Sequence, residues 1–220
     1  MKKACIFLIT ILCTSILCAQ KNTSDTTIYT ISDDPLILKH ISEAEKHFTQ
    51  KEYVKAAKQY IKAYNTDTSV TELLYKTAAS YNRAKKTDHA IAYYKQSIQA
   101  QTNIIPSLEE LSLIYIQTQA YDTAIMNCKT LLSKDEDNPH AYYNLAIAYT
   151  HLKQYEKAIH YGDIAFEEWF DRDMNIAQKS VLLVCKSFIA LHNKEAAGSY
   201  YQKAIQAGMH KSKQFTDLGL

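Results

Sequence analysis

The sequence predicts an all-α solenoid of about five antiparallel helix-turn-helix hairpins closed by a short C-terminal capping helix. Three observations carry that prediction. Only four glycines and three prolines occur in 220 residues, about 3% against roughly 12% in ordinary usage. β-sandwiches and barrels depend on both residues for their turns, so they are disfavoured. Second, Ala56, Ala90, Ala124 and Ala158 recur at one constant step, with Tyr53, Tyr121 and Tyr155 three positions before three of them. Third, Tyr81, Tyr115 and Tyr149 repeat the same step in a second register, and apolar residues between these markers follow helical spacing.

The chain begins MKKACIFLITILCTSILCAQ, with two lysines, an uncharged apolar run from Ala4 to Ala19, and then polar residues. This is the pattern of a signal peptide, residues 1–19, leaving Gln20 first. Two alternatives stand beside cleavage. One is an anchor formed by residues 4–19, slightly short of the roughly 20 needed to span a bilayer. The other is acylation of Cys18, against which Leu17 stands where a lipoprotein box calls for a small residue. The expected location is therefore exported, periplasmic or at the cell surface, with the membrane engaged only through that N-terminus. Residues 20–34 are polar and read as a flexible tether.

Outside the leader, acidic and basic side chains balance at 23 each. No excess of Lys and Arg suits a nucleic acid or an anionic membrane. No glycine precedes Gly162, so phosphate-cradling glycine loops are excluded from everything before it.

The hairpins follow in order as residues 37–70, 71–104, 105–138, 139–172 and 178–210, with the cap at 211–220. In the fourth, Tyr142, Leu145, Ala146 and Tyr149 make one stripe, a polar break follows, and Tyr155, Ala158 and Ile159 open the partner helix. The fifth is displaced by five residues and is marked by Val181, Val184, Cys185, Phe188, Ala197, Tyr201 and Ala204. The alanines mark close helix crossings, where a larger side chain overpacks by about 1–3 kcal/mol. Many of the 17 tyrosines fill space between hairpins. Trp169 and Phe170, just before the displacement, either extend the fourth hairpin and pack on the fifth or present an exposed aromatic anchor. Gly162 and Gly198 fall inside second helices and imply close packing, whereas Gly208 reads as a helix stop. Phe215 and Leu218 lie on one side of the cap.

The segment Tyr142 to Ala165, YYNLAIAYTHLKQYEKAIHYGDIA, and the related runs Leu108–Leu132, Leu74–Ile98 and Glu52–Tyr64 resemble the tetratricopeptide repeat, whose unit is about 34 residues long. Thr87 departs from that pattern where the first, third and fourth hairpins have Tyr. The resemblance covers about Pro35 to Ala207 and implies a right-handed superhelix whose first helices line a concave groove for a partner peptide or helix. Transferred by position, the groove shows Tyr75, Ala79, Asn82 and Arg83, then Glu109, Leu113, Ile116 and Gln117. It continues with Tyr143, Ile147, Thr150 and His151, and ends with Lys179, Leu182, Lys186 and Ile189. These residues do not reproduce a carboxylate clamp of Lys, Arg and Asn. They suit a segment with two or three apolar anchors.

No chemistry is indicated elsewhere. None of the eight histidines forms an HExxH pair, Cys128 and Cys185 are expected as buried free thiols, and no metal or cofactor is implied. The expected role is a non-enzymatic protein-interaction module of the cell envelope. The alternative is a structural subunit of an envelope assembly that uses its convex face.

Overall fold

A computed structural model describes residues 33–220, so the leader, Cys18 and tether residues 20–32 lie outside the described residues. The helices are α1 (Pro35–Thr49), α2 (Tyr53–Thr66), α3 (Glu72–Arg83), α4 (Thr87–Gln99), α5 (Ile104–Gln117), α6 (Tyr121–Leu132), α7 (Pro139–His151), α8 (Tyr155–Phe170), α9 (Met174–Ala190), α10 (Lys194–Gln206) and α11 (Lys213–Thr216). Successive helices pair into five hairpins, α1–α2 through α9–α10, and the short α11 closes the last. All described elements are helical, and the chain is a helical solenoid.

Scarce glycine makes the turns informative. Lys51, Lys85, Gln119, Lys153 and His192, one in the turn of each hairpin, have φ between 58° and 62°. The Lys153 N–H donates to the Thr150 carbonyl at 3.1 Å and that of Gln154 to Tyr149 at 2.9 Å. Each turn thus ends its helix with the paired bonds that usually accompany a glycine. Left-handed backbone costs a non-glycine residue roughly 1–2 kcal/mol, part of which glycine returns through the entropy of the unfolded chain. Lys153→Gly is therefore expected to stabilise the protein by about 0.5–1 kcal/mol, read as a higher midpoint in urea. An unchanged or lower midpoint would show that the lysine side chain offsets the strain. Gly208, at φ 116°, terminates α10 in the same way.

Burial lies mainly between hairpins. A single hairpin cannot cover its own apolar face, and each core cluster accordingly spans neighbours. One joins α1, α2 and α3 through Ile37, Ile41, Ala56, Tyr60 and Leu73. Another runs from Ala57 on α2 to Ala124 on α6, and a third from Leu108 on α5 to Ala158 on α8. The last holds Phe166, Trp169, Val181, Cys185, Ala197, Tyr201, Ala204 and Phe215. Ala56, Ala90, Ala124, Ala158 and Ala197 have no exposed surface, and Tyr81, Tyr115 and Tyr149 are buried, whereas Tyr53, Tyr121 and Tyr155 are half-buried. Cys128 and Cys185 are buried free thiols.

Three details differ from the sequence reading. The fifth hairpin begins at Met174, not 178: α8 runs one turn longer than α6, α9 starts one turn earlier, and the connection between hairpins shrinks to three residues. Asp173 caps that early start by accepting from the Asn175 N–H at 2.8 Å. Trp169, on the added turn of α8, is buried and donates from Nε1 to the Pro139 carbonyl at 3.0 Å, so it is no exposed anchor. Gly198 is not closely packed, since the nearest atom to an added Cβ would be Leu220 Cδ2 at 3.9 Å. At Gly162 the Cβ would stand 2.6 Å from Val184 Cγ2.

Candidate functional site: the face of the first helices

The first helices of the later hairpins touch, α5 against α7 and α7 against α9, while no two second helices approach as extensively among the described residues. An array whose first helices sit closer together curves toward them. On each first helix from α3 to α9, the positions carried by the repeat form a strip that is half-buried or exposed.

Two hollows mark this strip near its N-terminal end. A cavity of about 450 Å³ between α1 and α3 is lined by Glu45, Phe48, Tyr60, Glu72, Tyr75, Lys76, Ala79 and Asn103. Another of about 410 Å³ between α3 and α5 is lined by Tyr53, Asn82, Arg83, Lys85, Glu110, Leu113 and Gln117. The sequence-derived residues Tyr75 and Ala79 thus meet in the first hollow, and Asn82, Arg83, Leu113 and Gln117 in the second. Glu45, Lys76 and Glu110 join them, although transfer by position does not give these three. Glu45 stands one full period before Ala79, so carrying the repeat back to the first hairpin is the signal that finds it.

Several of the polar and charged groups here are tied to the scaffold. Glu45 accepts from Lys76 Nζ at 2.7 Å and from the Tyr60 hydroxyl, and the ammonium lies 5.7 Å from the Tyr60 ring centroid. Burial, reinforced by the Glu45 carboxylate, pushes the Tyr60 hydroxyl far above the usual phenol range. Asn82 donates to Glu110 at 2.9 Å, and burial pushes the Glu110 carboxyl up against the opposing pull of Arg83. Asn138 donates to Glu109 at 2.7 Å while its own side-chain oxygen caps α7 through the Ala141 N–H. These bonds link α1 to α3, α3 to α5 and α5 to the start of α7.

The apolar members of the strip divide into two kinds. Tyr75 and Ile116 lean on the cluster spanning α2 to α6, and Tyr143, Leu182 and Ile189 lean on the cluster around α8 to α10. They help hold the solenoid together and are half-buried. Burial likewise raises the Tyr143 hydroxyl. Leu113 and Ile147 belong to none of these clusters, and Leu113 is 43% exposed. Thr150 returns its hydroxyl to the Ala146 carbonyl at 2.7 Å. His151 stacks on Tyr121 with ring centroids 4.6 Å apart, and Lys179 and Lys186 are exposed.

Elsewhere, burial pushes the Cys128 and Cys185 thiols up to about 11 and about 12, which keeps both protonated at neutral pH. No three His, Cys, Asp or Glu side chains are placed to hold a metal among the described residues.

A tetratricopeptide-repeat family model matches residues 115–161, from α5 into α8. No curated protein matches the chain in sequence. Among solved structures, MamA from Desulfovibrio magneticus RS-1 superposes with a TM-score of 0.69 at 12% identity, over 80% of this chain and 96% of that one. A crystal structure of MamA protein gives 0.69 at 17% identity over 78% and 91%. MamA MSR-1 gives 0.62 at 20% identity over 79% and 97%. At such identities the likeness is one of fold. Residues 115–161 thus match the tetratricopeptide repeat in sequence, and the chain's five helical hairpins share the solenoid fold of the MamA structures.

Proposed function

We propose that the protein is an interaction scaffold of the cell envelope that holds a partner peptide or helix along the face of its first helices. The observation that carries this reading is the part-exposed strip running from α3 to α9, in which exposed Leu113 and half-buried Ile147 are apolar side chains that no core cluster uses. Accessible apolar groups set among fixed polar ones suit a peptide groove. The rigid scaffold lowers the ordering cost of binding. Export rests on the leader; an intact mass starting at Gln20 would support cleavage, and one starting at acylated Cys18 would replace it with a lipid anchor.

Leu113→Ser combined with Ile147→Ser is the appropriate test, because truncating Tyr143 or Leu182 would also loosen the core. Loss of an apolar anchor at an interface centre costs roughly 2 kcal/mol or more, so partner recovery should fall at least tenfold with an unchanged urea midpoint. Undiminished recovery would remove the groove from the account.

A second reading uses the outer face. Met126 on α6 is 65% exposed, the most exposed large apolar side chain among those described. A structural subunit packing through its second helices would cover it. Trp169, being buried, has no part in such a contact.

A further inference from the structure

We infer that the inner strip is electrically polarised from end to end, and that it therefore takes an extended segment in one direction only. The segment's basic end lies over α3 and α5, and its acidic end over α9. This rests on the groove reading above and adds the chemistry and direction of the occupant.

On the first three hairpins the strip and its hollows hold Glu45, Glu72, Glu109 and Glu110 against Lys76, Arg83 and Lys85. Glu45 and Lys76 neutralise each other at 2.7 Å, which leaves Glu72, Glu109 and Glu110 against Arg83 and Lys85, an excess of one carboxylate. On α7 and α9 the strip positions that continue the period contain Lys179 and Lys186 and no Asp or Glu. Both lysines are exposed, and neither has an ion-pair partner among the described residues; the same is true of Glu72.

The two ends do not cancel each other. First helices packed at about 8–10 Å per step put α3 and α9 roughly 25–30 Å apart, several times the Debye length of about 8 Å at physiological salt. A strand rising about 3.3 Å per residue crosses that span in roughly nine residues. The occupant is thus a short extended peptide with Lys or Arg at one end, apolar residues over Leu113 and Ile147, and Asp or Glu at the other. Its cation enters the hollow beside Glu72, where the Phe48 and Tyr75 rings add a face that attracts ammonium or guanidinium. Reversed, the same peptide sets like charges against each other at both ends.

The test is selection of random phage-displayed peptides of about 16 residues, long enough for the strip at roughly 3.3 Å per residue, on the immobilised full chain. The proposal expects enriched peptides to be basic at one end and acidic at the other. A photoreactive group at the acidic end should label α9. Lys179→Glu with Lys186→Glu should weaken them at least tenfold at low salt, with the effect shrinking in high salt. Because both lysines are exposed and unpaired, the melting curve of that variant should be unchanged. Peptides lacking charge asymmetry, labelling of α3, or indifference to the lysine reversal would overturn the polarity. If binding still falls in Leu113→Ser with Ile147→Ser, the groove survives that failure. If binding is untouched by either pair, or no peptide is enriched, groove and polarity both fall.

Discussion

Trp169→Ala should lower stability by about 3–5 kcal/mol, the usual cost of emptying a buried aromatic site. It should also separate the C-terminal end of the solenoid from the rest in a denaturant titration. Trp169 sits on the added turn of α8 inside the cluster that joins α8 to α9, α10 and α11. Its indole N–H reaches the Pro139 carbonyl at 3.0 Å, and His140 lies edge-on to its ring at 4.8 Å. One side chain therefore ties the end of α8 both back to α7 and forward to the last hairpin. Repeat arrays owe much of their stability to such neighbour interfaces, so its loss should give a second, earlier transition by circular dichroism. Trp169→Phe keeps most of the packing and loses the hydrogen bond, with an expected cost of about 1 kcal/mol. Because Trp169 is the only tryptophan, wild-type fluorescence reports this interface directly. A single unshifted transition in Trp169→Ala would show that the last hairpin is held by other contacts.

Gly162→Val should be the next most damaging, at about 1–3 kcal/mol of overpacking. A Cβ at that position meets Val184 Cγ2 at 2.6 Å, where α8 crosses α9. Helix propensity works the other way, because glycine in a helix interior is worth about 1 kcal/mol less than alanine. The clash wins only if Val184 cannot move, and it has no exposed surface. Val184→Ala in the same chain should recover part of the loss, a non-additivity that thermal or urea melts would detect. Gly198→Ala supplies the contrast: the nearest atom is 3.9 Å away, so the propensity gain of up to about 1 kcal/mol should appear alone. Equal effects at 162 and 198 would contradict the close crossing.

The fold was legible because its cause is periodic. Alanines at helix crossings and tyrosines between hairpins recur once per hairpin, and one sequence suffices to see them. Features that break the period were harder to place. The five-residue displacement before the last hairpin could be absorbed by loop or by helix, and only packing decides for helix, since the added turn buries Trp169. Gly198 resembles Gly162 in sequence, yet its surroundings are open. At the candidate site, the strip positions followed from the period, but their division into core-leaning and free side chains did not. Tyr143 and Leu113 look equally apolar in a list; one packs against the α8–α10 cluster and the other is left uncovered. Charges were legible as residues, although the ties of Glu45 to Lys76 and of Asn82 to Glu110 needed the neighbouring hairpins in place.

The most direct test of the groove is site-specific photo-crosslinking in living cells, with a photoreactive amino acid introduced in turn at positions 113, 147 and 126. Leu113 and Ile147 lie on the inner strip, whereas Met126 is exposed on a second helix. The account predicts a partner adduct from 113 and 147 and none from 126. An adduct from 126 with none from the inner positions would contradict it and place the contact on the outer face.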